Sequence, residues 1–91
     1  MRADHDIRVE IPGGRPPVVV TLDAHILDRI WASICHLPMP RSQCHLLERR
    51  LTGPCAVRDL IRDLAADSVL VIPVGGLELR IRWAHPSEEA A

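Results

Sequence analysis

Val69-Leu70-Val71-Ile72-Pro73-Val74-Gly75-Gly76-Leu77-Glu78-Leu79-Arg80-Ile81-Arg82-Trp83 is the stretch whose reading decides the fold. Two apolar runs flank a Gly-Gly pair, and glycine takes the positive φ angles of a tight hairpin turn without a Cβ to clash. A turn on Gly75-Gly76 sets Val74 against Leu77, Ile72 against Leu79 and Leu70 against Ile81. With Trp83, these side chains make one continuous apolar face. Val69, Val71 and Pro73 fall on the opposite face with Glu78, Arg80 and Arg82, because strand side chains alternate between faces. One side of the hairpin therefore belongs to a core, and the other is free for solvent or a partner.

The segments upstream supply what that core needs. Ile7-Arg8-Val9-Glu10-Ile11 alternates, with Ile7, Val9 and Ile11 inward. A loop rich in Pro and Gly, residues 12–17, leads to a second β-branched strand over 18–22. Asp23 reads as a helix N-cap. Ile26, Leu27, Ile30, Trp31, Ile34 and Leu37 follow helical spacing until Pro38-Met39-Pro40 ends the run. Ser42 is expected to cap a shorter helix to about Leu51, with Cys44, Leu47 and Leu51 inward and Leu46 beside them. Thr52-Gly53-Pro54 breaks it, with Gly53 as the C-cap. A third helix over 55–66 places Val57, Leu60, Ile61 and Leu64 on one face. The prediction is one α+β domain over residues 1–91, in the order ββ-ααα-ββ. Its helices pack on one face of a largely antiparallel four-stranded sheet, with flexible tails over 1–6 and 85–91. Arg8, Glu10, Thr21, Glu78, Arg80 and Arg82 are expected on the sheet's other face.

Composition narrows the function classes. The chain has 91 residues and a mass of 10.1 kDa. Area scaling for that mass buries about 64% of the unfolded surface, enough for one core but not for a deep, water-excluding active site. All 11 basic residues are Arg, and Lys, Asn, Phe and Tyr are absent, a bias that points to a high-GC bacterial genome. Two Trp are the only aromatic side chains, so nothing forms a platform for stacking bases. Net charge is −1, which gives no general attraction to nucleic acid or anionic lipid. Residues 1–6 are polar rather than a leader, and no apolar run is long enough to span a bilayer. Three cysteines, an odd number, read as free thiols in a reducing cytoplasm.

Four chemistries have residues in this chain that could carry them. Cys35-His36, Cys44-His45 and Cys55 supply metal-ligand types, but zinc sites pair their ligands at close spacing, as in C-x2-C, and no such pair exists here. Buried thiols with exposed histidines is the favoured account, and neither a metal nor a cofactor is expected. Ser33 with His36 and Ser42 with His45 lie three residues apart, yet neither sits in a recognisable nucleophile context, so no enzyme activity is expected. Two helices across Thr52-Gly53-Pro54 followed by a hairpin follow the order of a winged-helix domain, with Arg58 and Arg62 reaching DNA and Arg80 and Arg82 touching phosphates. Against it, Asp59 and Asp63 sit beside those arginines, and the hairpin is too apolar for a flexible wing.

The fourth chemistry is protein binding, and it is the favoured expectation: a small non-enzymatic interaction module, an adaptor, subunit or inhibitor in a larger bacterial assembly. Arg80, Arg82, Arg8 and Glu78 are the candidate contacts, since the planar Arg fork pairs well with carboxylates at interfaces. A DNA-binding regulator using Arg58 and Arg62 is the alternative. An unpaired hairpin edge leaves a homodimer open.

Overall fold

The structure, a computed structural model, describes residues 6–85. Seven elements follow in the expected order: β1 (Asp6–Glu10), β2 (Val18–Thr21), α1 (Ala24–Ile34), α2 (Arg41–Thr52), α3 (Ala56–Asp67), β3 (Val69–Val74) and β4 (Leu77–Trp83). The strands form one four-stranded sheet in the order β2-β1-β4-β3, and every pairing is antiparallel. The fold is thus α+β with three helices against one sheet.

The β3–β4 register agrees with the turn deduced from Gly75-Gly76: Val74 opposes Leu77, Ile72 opposes Leu79 and Leu70 opposes Ile81. Only Gly75 takes a positive φ, +63°, the arrangement of a II′ rather than a I′ turn. A Cβ at Gly75 would also overlap the Pro38 carbonyl oxygen. The hairpin tip is thereby seated on the α1–α2 connection. Gln43 of α2 fastens it further: its Nε2 donates to the Pro73 carbonyl at 3.0 Å and its Oε1 accepts from the Gly75 amide at 3.0 Å.

The buried face of the sheet carries Ile7, Val9, Leu70, Ile72, Val74, Leu79 and Ile81. Against it lie Leu27, Ile30 and Ile34 of α1, Leu47 and Leu51 of α2, and Ala56, Leu60 and Leu64 of α3. Each buried Leu or Ile contributes roughly 1.5–3 kcal/mol relative to exposure. No buried polar or charged side chain interrupts this core among the described residues. Ile11, Val20, Trp31 and Trp83 border it, half-buried.

Several local expectations need correction. Asp6, expected in a flexible tail, opens β1: it pairs with Thr21, and its carbonyl accepts from the Ala84 amide at 2.9 Å. The rest of the expected tails, 1–5 and 86–91, lies outside the described residues, while His85 is described and exposed. Ser42 does not cap α2. The helix begins at Arg41 after Pro40, whose fixed φ of −60° leads into the first turn, and no side chain caps it. Gly53 is the C-cap of α2 as expected, but with an extended backbone, φ −69°, and not in the left-handed region. Glycine is needed there because a Cβ would run into the Arg49 carbonyl oxygen. Leu77, expected on the core face, is 47% exposed, although Val74 opposite it is buried. The thiols are not buried: Cys35 is exposed, and Cys44 on α2 and Cys55 at the N-cap of α3 are half-buried. Asp23 caps α1 as expected, its Oδ1 accepting from the Ile26 amide at 2.8 Å.

Candidate interaction surface

The three helices pack on one face of the sheet and leave the other uncovered. The two sheet registers set out that outer face as a ladder. Val19, Arg8, Arg82 and Val69 form one cross-strand row. Glu10, Arg80 and Val71 form the next. Glu78 and Pro73 form a third, towards the hairpin tip. The outer face therefore has a charged centre between two valine borders. Val19 is 36% exposed, and Val69 and Val71 are each 43% exposed.

The central charges are partly matched within their own strands. Arg8 Nη1 meets Glu10 Oε2 at 2.9 Å, and Arg80 Nη2 meets Glu78 Oε1 at 3.0 Å. Both are contacts between residues two apart, which a strand places on the same face. Arg82 Nη1 donates to the Trp83 carbonyl at 2.9 Å. Arg8 and Arg82 stand directly opposite each other, a like-charge pair that does not stabilise the sheet by itself. Exposed ion pairs of this kind contribute about 0–1 kcal/mol, so they can open and re-form with a partner's carboxylates at little cost.

Arg80, Arg82, Arg8 and Glu78, singled out in the sequence, thus come together on one face. Arg58 and Arg62 do not join them. They lie on α3, in the helical layer on the far side of the sheet. There Arg58 Nε approaches Asp59 at 3.8 Å, and Arg62 approaches Asp59 at 3.6 Å and Asp63 at 3.8 Å. Asp63 is held more closely by Arg50, at 2.8 Å. The α3 arginines and the hairpin arginines face opposite directions, so no single duplex contacts both sets without wrapping the domain.

Three surface concavities complete the description. A basin of about 500 Å³ lies at the tip end of the outer face, where Glu10, Glu78, Arg80 and Leu77 meet Arg15 of the β1–β2 loop. A narrower groove of about 290 Å³ runs between the hairpin of β1 and β2 and α1, lined by Val9, Ile11, Val18, Val20, Ile26 and Ile30, with Arg15 and Arg29 at its rim. The third, about 580 Å³, separates α2 from β3 and holds Leu46, Arg49 and Pro73. Arg15 and Leu77 were missed as candidate contacts. Leu77 follows the turn in the core-facing register, and nothing in the sequence marks it as exposed. Arg15 sits in a loop whose path is set by prolines rather than by a periodic pattern.

Among the described residues, no group of His, Cys, Asp and Glu is arranged to hold a metal ion. Ser33 Oγ donates to the Arg29 carbonyl at 3.0 Å within its own helix, and His36 is exposed beyond the helix end. No helix among the described residues is long and apolar enough to cross a membrane. Comparison with protein-family models, characterised proteins and solved structures finds no match to this chain.

Proposed function

We propose that the chain is a small non-enzymatic protein–protein interaction module that engages a partner protein through the uncovered face of its sheet, as an adaptor, subunit or inhibitor within a bacterial cytoplasmic assembly. One observation carries the reading: an uncovered antiparallel face with valine borders and an Arg-rich centre whose charges are partly self-matched. Valine borders give apolar area for burial. The guanidinium groups of Arg80, Arg82 and Arg8 offer forked donors to a partner's acidic side chains, and Glu78 offers an acceptor. The exposed Cys35 thiol fits a reducing compartment.

The test is affinity purification from the native host with mass spectrometry, followed by the Arg80→Glu/Arg82→Glu double variant in the purified pair. Loss of binding with an unchanged circular dichroism spectrum is the expected result; unchanged binding would sink the reading.

A second reading, a winged-helix-like DNA-binding regulator, draws on the exposure of Arg58 and Arg62, at 77% and 72% of their side chains. A salt-titrated gel shift on random duplex separates the two. Non-specific phosphate binding is the first property such a domain shows, so absence of a shift at low salt removes it.

A further inference from the structure

We propose that two copies of this chain pair edge to edge through β3, antiparallel about a two-fold axis at Leu70, joining their sheets into one of eight strands.

The β3 edge is open. In an antiparallel hairpin, hydrogen-bonded pairs alternate with pairs whose backbone groups point away. The closing pair Val74–Leu77 bonds across the two-residue turn, so Pro73, Val71 and Val69 turn their backbone groups outward. Pro73 confirms the phase: it has no N–H to offer β4, and its carbonyl is taken from outside by Gln43. Val71 and Val69 remain, each with a free N–H and C=O among the described residues.

That edge is self-complementary. With Leu70 on the axis, Val69 of each copy falls opposite Val71 of the other, and both outward N–H and C=O groups at each position find partners, four hydrogen bonds in all. The ladder ends where Gln43 has taken the Pro73 carbonyl. On the outer face, the two exposed valines of one copy stack against those of the other, converting bare apolar edges into cross-strand pairs.

Charge agrees with the same register. It brings the Val69 end of one copy, which follows Asp67 at the end of α3, towards the Pro73 end of the other. Pro73 shares its groove with Arg49 and with Leu46, which is 67% exposed. Asp67 and Arg49 are both exposed, and neither has an ion-pair partner within its own chain among the described residues. The two-fold axis thus sets this acid and this base towards the same end of the ladder, twice, as an isologous contact requires. Pro73 blunts only the tip end of this edge: Val69, Leu70, Val71 and Ile72 carry no charge and are not Pro, where edge strands are ordinarily blunted by Lys or Pro.

This inference is independent of the partner-binding reading, since the paired edge leaves Arg80 and Arg82 on the outer face. The test is sedimentation velocity of the full chain from micromolar to near-millimolar concentration. The expected result is a reversible shift from the 10.1 kDa monomer to twice that mass. Val71→Lys, which removes the Val69–Val71 stack and sets two like charges diagonally across the axis, should weaken association by at least about tenfold while leaving circular dichroism unchanged. Asp67→Arg and Arg49→Asp should each weaken it, and the combination should restore it. A chain that stays monomeric throughout, or a dimer indifferent to Val71→Lys and disrupted by Val19→Lys on the opposite β2 edge, overturns the proposal.

Discussion

Gly75 is the residue on which most of the fold turns. It satisfies two demands at once, a φ of +63° and the absence of a Cβ where the Pro38 carbonyl approaches. Gly75→Ala should therefore cost more than about 2 kcal/mol, combining left-handed strain with displacement of backbone. Gly76→Ala has open space and no left-handed φ, and should cost less than about 1 kcal/mol. Urea denaturation of the two variants checks the contrast. Gln43 is the complementary residue on the helical side. Removing its two hydrogen bonds in Gln43→Ala should cost about 1–3 kcal/mol and speed hydrogen exchange at the Gly75 amide. Neither role was legible beforehand. The Gly-Gly pair marked a turn, but the contact with Pro38 and the grip of Gln43 join residues thirty or more positions apart.

At the scale of elements, the β3–β4 hairpin is two-sided, and each side has its own test. Leu79 and Ile81 are fully buried on the core side, so Leu79→Ala should cost about 2–5 kcal/mol, read as a fall in the denaturation midpoint. Arg80 and Arg82 lie on the other side, and their reversal to Glu should leave that midpoint within about 0.5 kcal/mol while abolishing partner binding. The hairpin was readable because period-two alternation and a glycine turn fix its register together. The helix limits were less so. α2 starts at Arg41 and not after a Ser42 cap, because Pro40 supplies the entry geometry that a capping side chain would otherwise provide. Leu46 stood beside the apolar stripe of α2 in the sequence. Only packing shows that it faces a groove instead of the core.

For the whole molecule, the consequence of one sheet with helices on one side is a second side that the chain does not cover, and two edges that it does not close. β2 is short and follows Pro16-Pro17, which limits strand addition there. β3 has six residues, and only its Pro73 end is blocked. If two copies pair through β3, apparent stability must rise with protein concentration by mass action. The thermal midpoint of the native chain should then climb between dilute and concentrated samples, while that of Val71→Lys should stay flat. Differential scanning calorimetry at two concentrations distinguishes these outcomes.

The sequence by itself determined the element order, the hairpin register, the Asp23 cap and which face of β1, β3 and β4 enters the core. All of these follow from local periodicity and turn chemistry acting within a few residues. The strand order β2-β1-β4-β3 was decided only in three dimensions, because it depends on which hairpin edges meet, and edge pairing leaves no local signature. Tertiary structure also set Arg8 opposite Arg82, separated the α3 arginines from the hairpin arginines, and left Leu77, Val69 and Val71 exposed. Exposure depends on where the helices stop covering the sheet. That boundary is set by long-range packing, not by the identity of the residue exposed.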